Sequence, residues 1–108
     1  MTSYTLSPQA AAALREIWEH IAEDSLDAAD RVLERFAEAF ERLAERPHVG
    51  HYREDLTGGK TLKLWSVHAY LIVYDPDTRP LEIGRIFHGS RDIASLLRKA
   101  ERDPPDRE

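Results

Sequence analysis

The stretch from Ala29 to Pro47 does most to limit what this chain can become. Ala29, Val32, Leu33, Phe36, Ala37, Phe40, Leu43 and Ala44 recur at helical spacing and form one apolar stripe, which Pro47 ends. A helix of this kind gains most of its stability by burying such a stripe against another surface. The preceding segment supplies a first partner. Ala11, Leu14, Ile17, Trp18, Ile21 and Ala22 also share one helical side, behind Ser7 as N-cap and Pro8 at the first helical position. "EDSLD" separates the two, with Ser25 as the second N-cap and Asp27 suited to the first turn. Two antiparallel amphipathic helices joined by a short turn are predicted.

Beyond Pro47 the period changes. "RPHVGHYREDLTGG" reads as a polar connection punctuated by Gly50, Gly58 and Gly59. Three strands follow: "KTLKLWSV", "AYLIVYD" and "LEIGRIFH", the last two joined by "DPDTRP", where Pro76 fits the second position of a type I turn. Lys63, Trp65 and Val67 alternate with Leu62, Leu64 and Ser66, as in a strand with unlike faces, and "YLIVY" suits a central strand. "YTLS" near the start is a short strand ending in a helix start. A short helix from about Asp92 to Ala100 closes the pattern, and "ERDPPDRE" reads as a disordered tail. The expected class is α+β: an N-terminal strand and a helical hairpin on a small, mainly antiparallel sheet, with a short C-terminal helix. One domain over 1–100 and a tail over 101–108 are expected, since 108 residues bury roughly two thirds of the unfolded surface without disulfides or metal.

The chain has no cysteine, which excludes a disulfide scaffold and thiolate metal sites and fits a reducing cytoplasm. No apolar run approaches the roughly 20 residues of a membrane helix, and "MTSYTLSPQA" lacks a secretory pattern, so a soluble cytoplasmic protein is expected. The net charge of −5 is uneven: residues 1–50 carry five Arg and ten acidic residues, whereas 51–108 carry ten of each sign. Such a field disfavours nucleic acid and favours basic partners, so sequence-specific nucleic-acid binding is not expected.

Catalytic patterns are sparse. His48 and His51 stand three apart in a loop without a third ligand at metal spacing, so no metal site is expected. His20 falls on the polar side of the first helix and His68 at a strand boundary. No serine sits in a G-x-S-x-G elbow, and Gly58-Gly59-Lys60-Thr61 lacks the earlier glycine of a phosphate loop. Glu38 and Arg42 form a helical-spacing pair that marks a solvated face. The remaining concentration of chemistry is "RIFHGSRDI", where Arg85, His88 and Arg91 fall within seven residues. Asp92 or Ser90 explains a helix cap and Gly89 a sharp turn, but capping does not require the three basic side chains. On strand alternation Arg85 points opposite to His88.

The order of motifs carries a resemblance. "YTLSPQAAAALREIWEHIAEDS", "AADRVLERFAEAFERLAERPHVGHYREDL" and "HAYLIVYDPDTRPLEIGRIFHGSRDIASLL" closely resemble the ParE branch of the ParE/RelE toxin superfamily of type II toxin–antitoxin, or plasmid-stabilisation, modules. The match runs from about Tyr4 to Leu97. It implies a leading strand, a helical hairpin, a three-stranded antiparallel sheet and a C-terminal helical element. It further implies a cytoplasmic toxin that arrests growth by poisoning DNA gyrase, without catalysis or cofactor of its own. A ParD-like antitoxin would neutralise it within a hetero-oligomer. On that resemblance Arg85, His88 and Arg91 are the candidate target contacts. The antitoxin is expected to bury apolar side chains against the hairpin and adjoining sheet, at Leu14, Trp18, Leu64 and Trp65. RelE-like cleavage of mRNA in the ribosome is the alternative, for which Lys60, Lys63, Arg85, His88 and Arg91 are a thin basic set. A toxin that has decayed to antitoxin binding alone is a third reading.

Overall fold

The computed structural model describes residues 3–53 and 61–89. The predicted C-terminal helix, the tail, Arg91 and the Gly58–Gly59 turn lie outside the described residues. Strand β1 (Tyr4–Leu6) leads into helix α1 (Pro8–Ala22), and α2 (Leu26–Glu45) follows. After a single 3-10 turn at Pro47–Val49 come β2 (His51–Tyr52), β3 (Lys63–Val67), β4 (Tyr70–Asp75) and β5 (Leu81–His88). They form one sheet in the order β1-β5-β4-β3-β2. β1 runs parallel to β5, and the other pairings are antiparallel. The α+β class, the hairpin and the central place of β4 are as expected. The sheet has one strand more than the sequence predicts, because His51 and Tyr52, within the polar connection, pair with Leu64 and Lys63 as β2.

Both helices begin as the sequence predicts. The Ala10 N–H donates to Ser7 Oγ at 3.0 Å, and the Ala28 N–H to Ser25 Oγ at 3.1 Å. Ser7 has a second task. Its hydroxyl donates to the Gly84 carbonyl at 2.6 Å, while its backbone N–H donates to Ile83 O at 3.0 Å. The cap of α1 is thereby fastened to β5 where that strand changes register. Tyr74 faces Ile83 but Val73 faces Arg85, so Gly84 is an extra residue on β5. The bulge reverses the strand's alternation: Leu81 and Ile83 share the helix-facing side with Ile86.

The hydrophobic core lies between hairpin and sheet. Ala10, Phe36, Phe40 and Leu43 meet Val67, Ile72, Tyr74, Leu81, Ile83 and Ile86 there. The Phe36 ring is 6.0 Å from Phe40 and 5.8 Å from Tyr70. Leu33 departs from the predicted stripe and is 40% exposed. It lies two helical turns from the exposed Leu26, on a line rotated away from the Ala29–Phe36–Phe40–Leu43 face that meets the sheet. The β4–β5 connection turns at Pro76–Asp77 as predicted, with the Asp77 N–H donating to Asp75 Oδ1 at 3.0 Å.

Candidate functional site

The strongest candidate from the sequence was the end of β5. There Arg85 pairs across the sheet with Val73 and His88 with Tyr70. Since Tyr70 packs on Phe36, the Tyr70–His88 row faces the helices, and the Val73–Arg85 row lies on the other side. Arg85 is half-buried, whereas His88 is exposed and meets the Tyr70 ring edge-on at 5.3 Å. The two do not form one patch, as alternation predicted. Gly89 has a specific reason to lack a side chain. Its N–H donates to Ala69 O at 2.7 Å, and an added Cβ would stand 3.1 Å from that same oxygen.

The residues expected to meet an antitoxin are dispersed. Leu14 and Trp18 are half-buried on α1. The Trp18 indole N–H is engaged within the hairpin, donating to Asp30 Oδ1 at 3.0 Å. Leu64 and Trp65 do not share a surface, because neighbours on a strand point to opposite faces. Trp65 packs against the core on the helix side, but Leu64 lies on the other face and is only 3% exposed. Leu64 therefore offers little surface of its own in this conformation.

The connection that looked polar and loose is pinned from the sheet. Tyr74 is fully buried, and its hydroxyl accepts the Gly50 N–H at 3.0 Å and donates to Pro47 O at 2.6 Å. Burial pushes the phenol above its ordinary value of 10.0, opposed by the Gly50 bond. Lys63, on the helix-facing side, is buried too. Its Nζ donates to Gly50 O at 3.3 Å and lies 3.7 Å from the Tyr52 ring centroid, a cation–π contact. Gly50 is required here: a Cβ would collide with the Tyr74 hydroxyl and stand 2.9 Å from Leu64 O. His48 and His51 are exposed, and the His51 ring stacks beside Trp65 at 6.3 Å.

A groove of about 470 Å3 opens between α2 and β3. Arg35, Glu38, Ala39 and Arg42 form its helical wall, and Trp65 to His68 the opposite side. The charged face of α2, read as merely solvated, thus borders a cavity. Arg35 and Arg42 stand two helical turns apart, a spacing visible in the sequence, but only the packing of α2 beside β3 makes them neighbours of Trp65. His68 occupies the two-residue β3–β4 turn with a positive φ of 52°.

Comparison with known proteins places the whole arrangement. Residues 4–93 match the family described as the ParE toxin of the type II toxin–antitoxin system, parDE. The chain belongs to the ParE toxin family. This ParE-family chain also resembles a solved structure from the chromosomal ParDE toxin–antitoxin system of P. aeruginosa. The TM-score is 0.66 and the identity 18%, over 82% of this chain and 96% of the other. At that identity the likeness shows the fold alone. No curated protein matches the sequence. The ParE-like resemblance read from motif order is thus shown for most of the chain.

Proposed function

We propose that this ParE-family toxin arrests growth by poisoning DNA gyrase without catalysis of its own, and that a ParD-like antitoxin neutralises it. The observation that carries the reading is the family match across residues 4–93, which covers every described element. Arg85, His88 and Arg91 are the proposed target contacts. The antitoxin buries apolar side chains against Leu14 and Trp18 on the hairpin and against Trp65, with Leu64 supporting the sheet from its other face. A disordered antitoxin segment that folds on binding would suit so dispersed a set. The cytoplasm is the proposed compartment; among the described residues no helix is long and apolar enough to cross a membrane.

Production of the protein without antitoxin tests the reading. Growth should stop, the DNA-damage response should rise and cells should filament. Purified protein should inhibit supercoiling by gyrase or leave linear plasmid after denaturation. Arg91→Ala should abolish these effects with a nearly unchanged melting temperature. Ribosome-dependent mRNA cuts with gyrase untouched would establish the RelE-like alternative instead. No growth effect with intact antitoxin binding would identify a decayed toxin.

A further inference from the structure

We propose that the outer edge of β3 at Ser66, with the groove it shares with α2, docks an extended acidic segment of a partner protein as a further strand. β2 covers only the start of β3, pairing His51 with Leu64 and Tyr52 with Lys63. From Trp65 onward no described strand lies beside β3 on that side. The ladder on the inner side shows which backbone groups are left. Val67 and Tyr70 flank a two-residue turn and form its closing pair, so Val67, Trp65 and Lys63 turn their N–H and C=O groups toward β4. Leu64 and Ser66 turn theirs outward. Those of Leu64 face β2, whereas those of Ser66 face no described strand, and Ser66 is exposed.

The groove supplies what a bare sheet edge lacks. Half-buried Trp65 presents apolar surface, and the buried Val67 and Ala39 line the groove beside it. Arg35 and Arg42 are both exposed at the wall, set against the single carboxylate of Glu38. An incoming strand would pair its backbone with Ser66 and turn every second side chain toward α2, where carboxylates meet two guanidinium groups. Main-chain bonds would set its register, and the arginines would select its charge. A docked helix would leave the Ser66 groups unpaired. A nucleic acid would approach a protein of net charge −5. The inference concerns how a partner chain is seated and holds whether or not gyrase is the target.

Isotope-labelled full-length protein is to be titrated, by NMR, with a blocked synthetic peptide alternating valine and glutamate. A valine–lysine peptide serves as control. The glutamate peptide should give saturable shifts centred on Ser66 and slow exchange of its amide, and the lysine peptide should give neither. The double variant Arg35→Glu/Arg42→Glu, altered only at exposed positions, should bind the glutamate peptide about tenfold more weakly or worse. Ser66→Pro removes an N–H that faces away from β4, so it should keep the fold and lose the peptide. The proposal is overturned if the glutamate peptide does not bind, if its shifts lie away from β3, or if both peptides bind alike. It is equally overturned if the double variant binds as the wild type does, or if a single-stranded oligonucleotide shifts Ser66 where the peptide does not.

Discussion

Replacing Tyr74 by Phe isolates what one hydroxyl contributes. The ring is fully buried and would stay packed, so the change removes two hydrogen bonds and little else. The Gly50 N–H, now 3.0 Å from the phenol oxygen, would be stranded in a buried position, and the Pro47 carbonyl, 2.6 Å away, in a half-buried one. A stranded buried group costs about 1–3 kcal/mol, and Pro47 can recover part of its loss from water. The expected destabilisation is therefore about 2–3 kcal/mol, which lowers the melting temperature by on the order of 10 °C in a domain of this size. Amide exchange should quicken at Gly50 first. The pH profile adds a second signature. Because burial raises the folded phenol's pKa, its contribution is fully present below the unfolded value of 10.0 and is lost as pH rises through the folded one. Tyr74→Phe has no such contribution, so the stability gap between wild type and variant should narrow above pH 10. Urea melts across this range measure both effects. A midpoint within about 2 °C of wild type, with a gap indifferent to pH, would refute the pinning role of the hydroxyl.

Three other perturbations test separate links. Ser7→Ala removes both the α1 cap and the bond to Gly84 O, so it should cost more than the ~1 kcal/mol of an ordinary cap; equilibrium unfolding beside Ser25→Ala, which loses only a cap, makes the comparison. Phe40→Ala empties a site 2% exposed against Tyr4 and Phe36 and should cost about 3–5 kcal/mol; an unchanged unfolding midpoint would place that stripe outside the core. His68 holds a φ of 52°, which a β-branched side chain tolerates poorly: His68→Val should lower stability by about 1–3 kcal/mol in thermal melts, and His68→Gly should not.

Local chemistry determines much of this protein without reference to any long-range contact. Ser7-Pro8 and Ser25 start their helices where cap geometry requires, Pro47 follows the end of α2, and the apolar and aromatic run "YLIVY" becomes the central strand. Those signals act over a few residues, so they are legible in order along the chain, and the order itself carried the ParE resemblance. Other features depended on parts far apart in sequence. The Gly84 bulge, which reverses the faces of β5, is bonded by the hydroxyl of Ser7, 77 positions earlier. Leu33 matches the apolar period but sits at the rim of the stripe, because the position of the sheet chooses which arc of α2 is buried. Lys63 is charged yet buried, since Gly50 O and the Tyr52 ring meet its ammonium group after the 47–52 connection folds over it. Leu64 and Trp65 are apolar neighbours that a sequence joins and a pleated strand sends to opposite faces. The groove of Arg35, Arg42 and Trp65 likewise exists only once α2 lies along β3, because a binding surface is made by which elements pack side by side, and that no local spacing encodes.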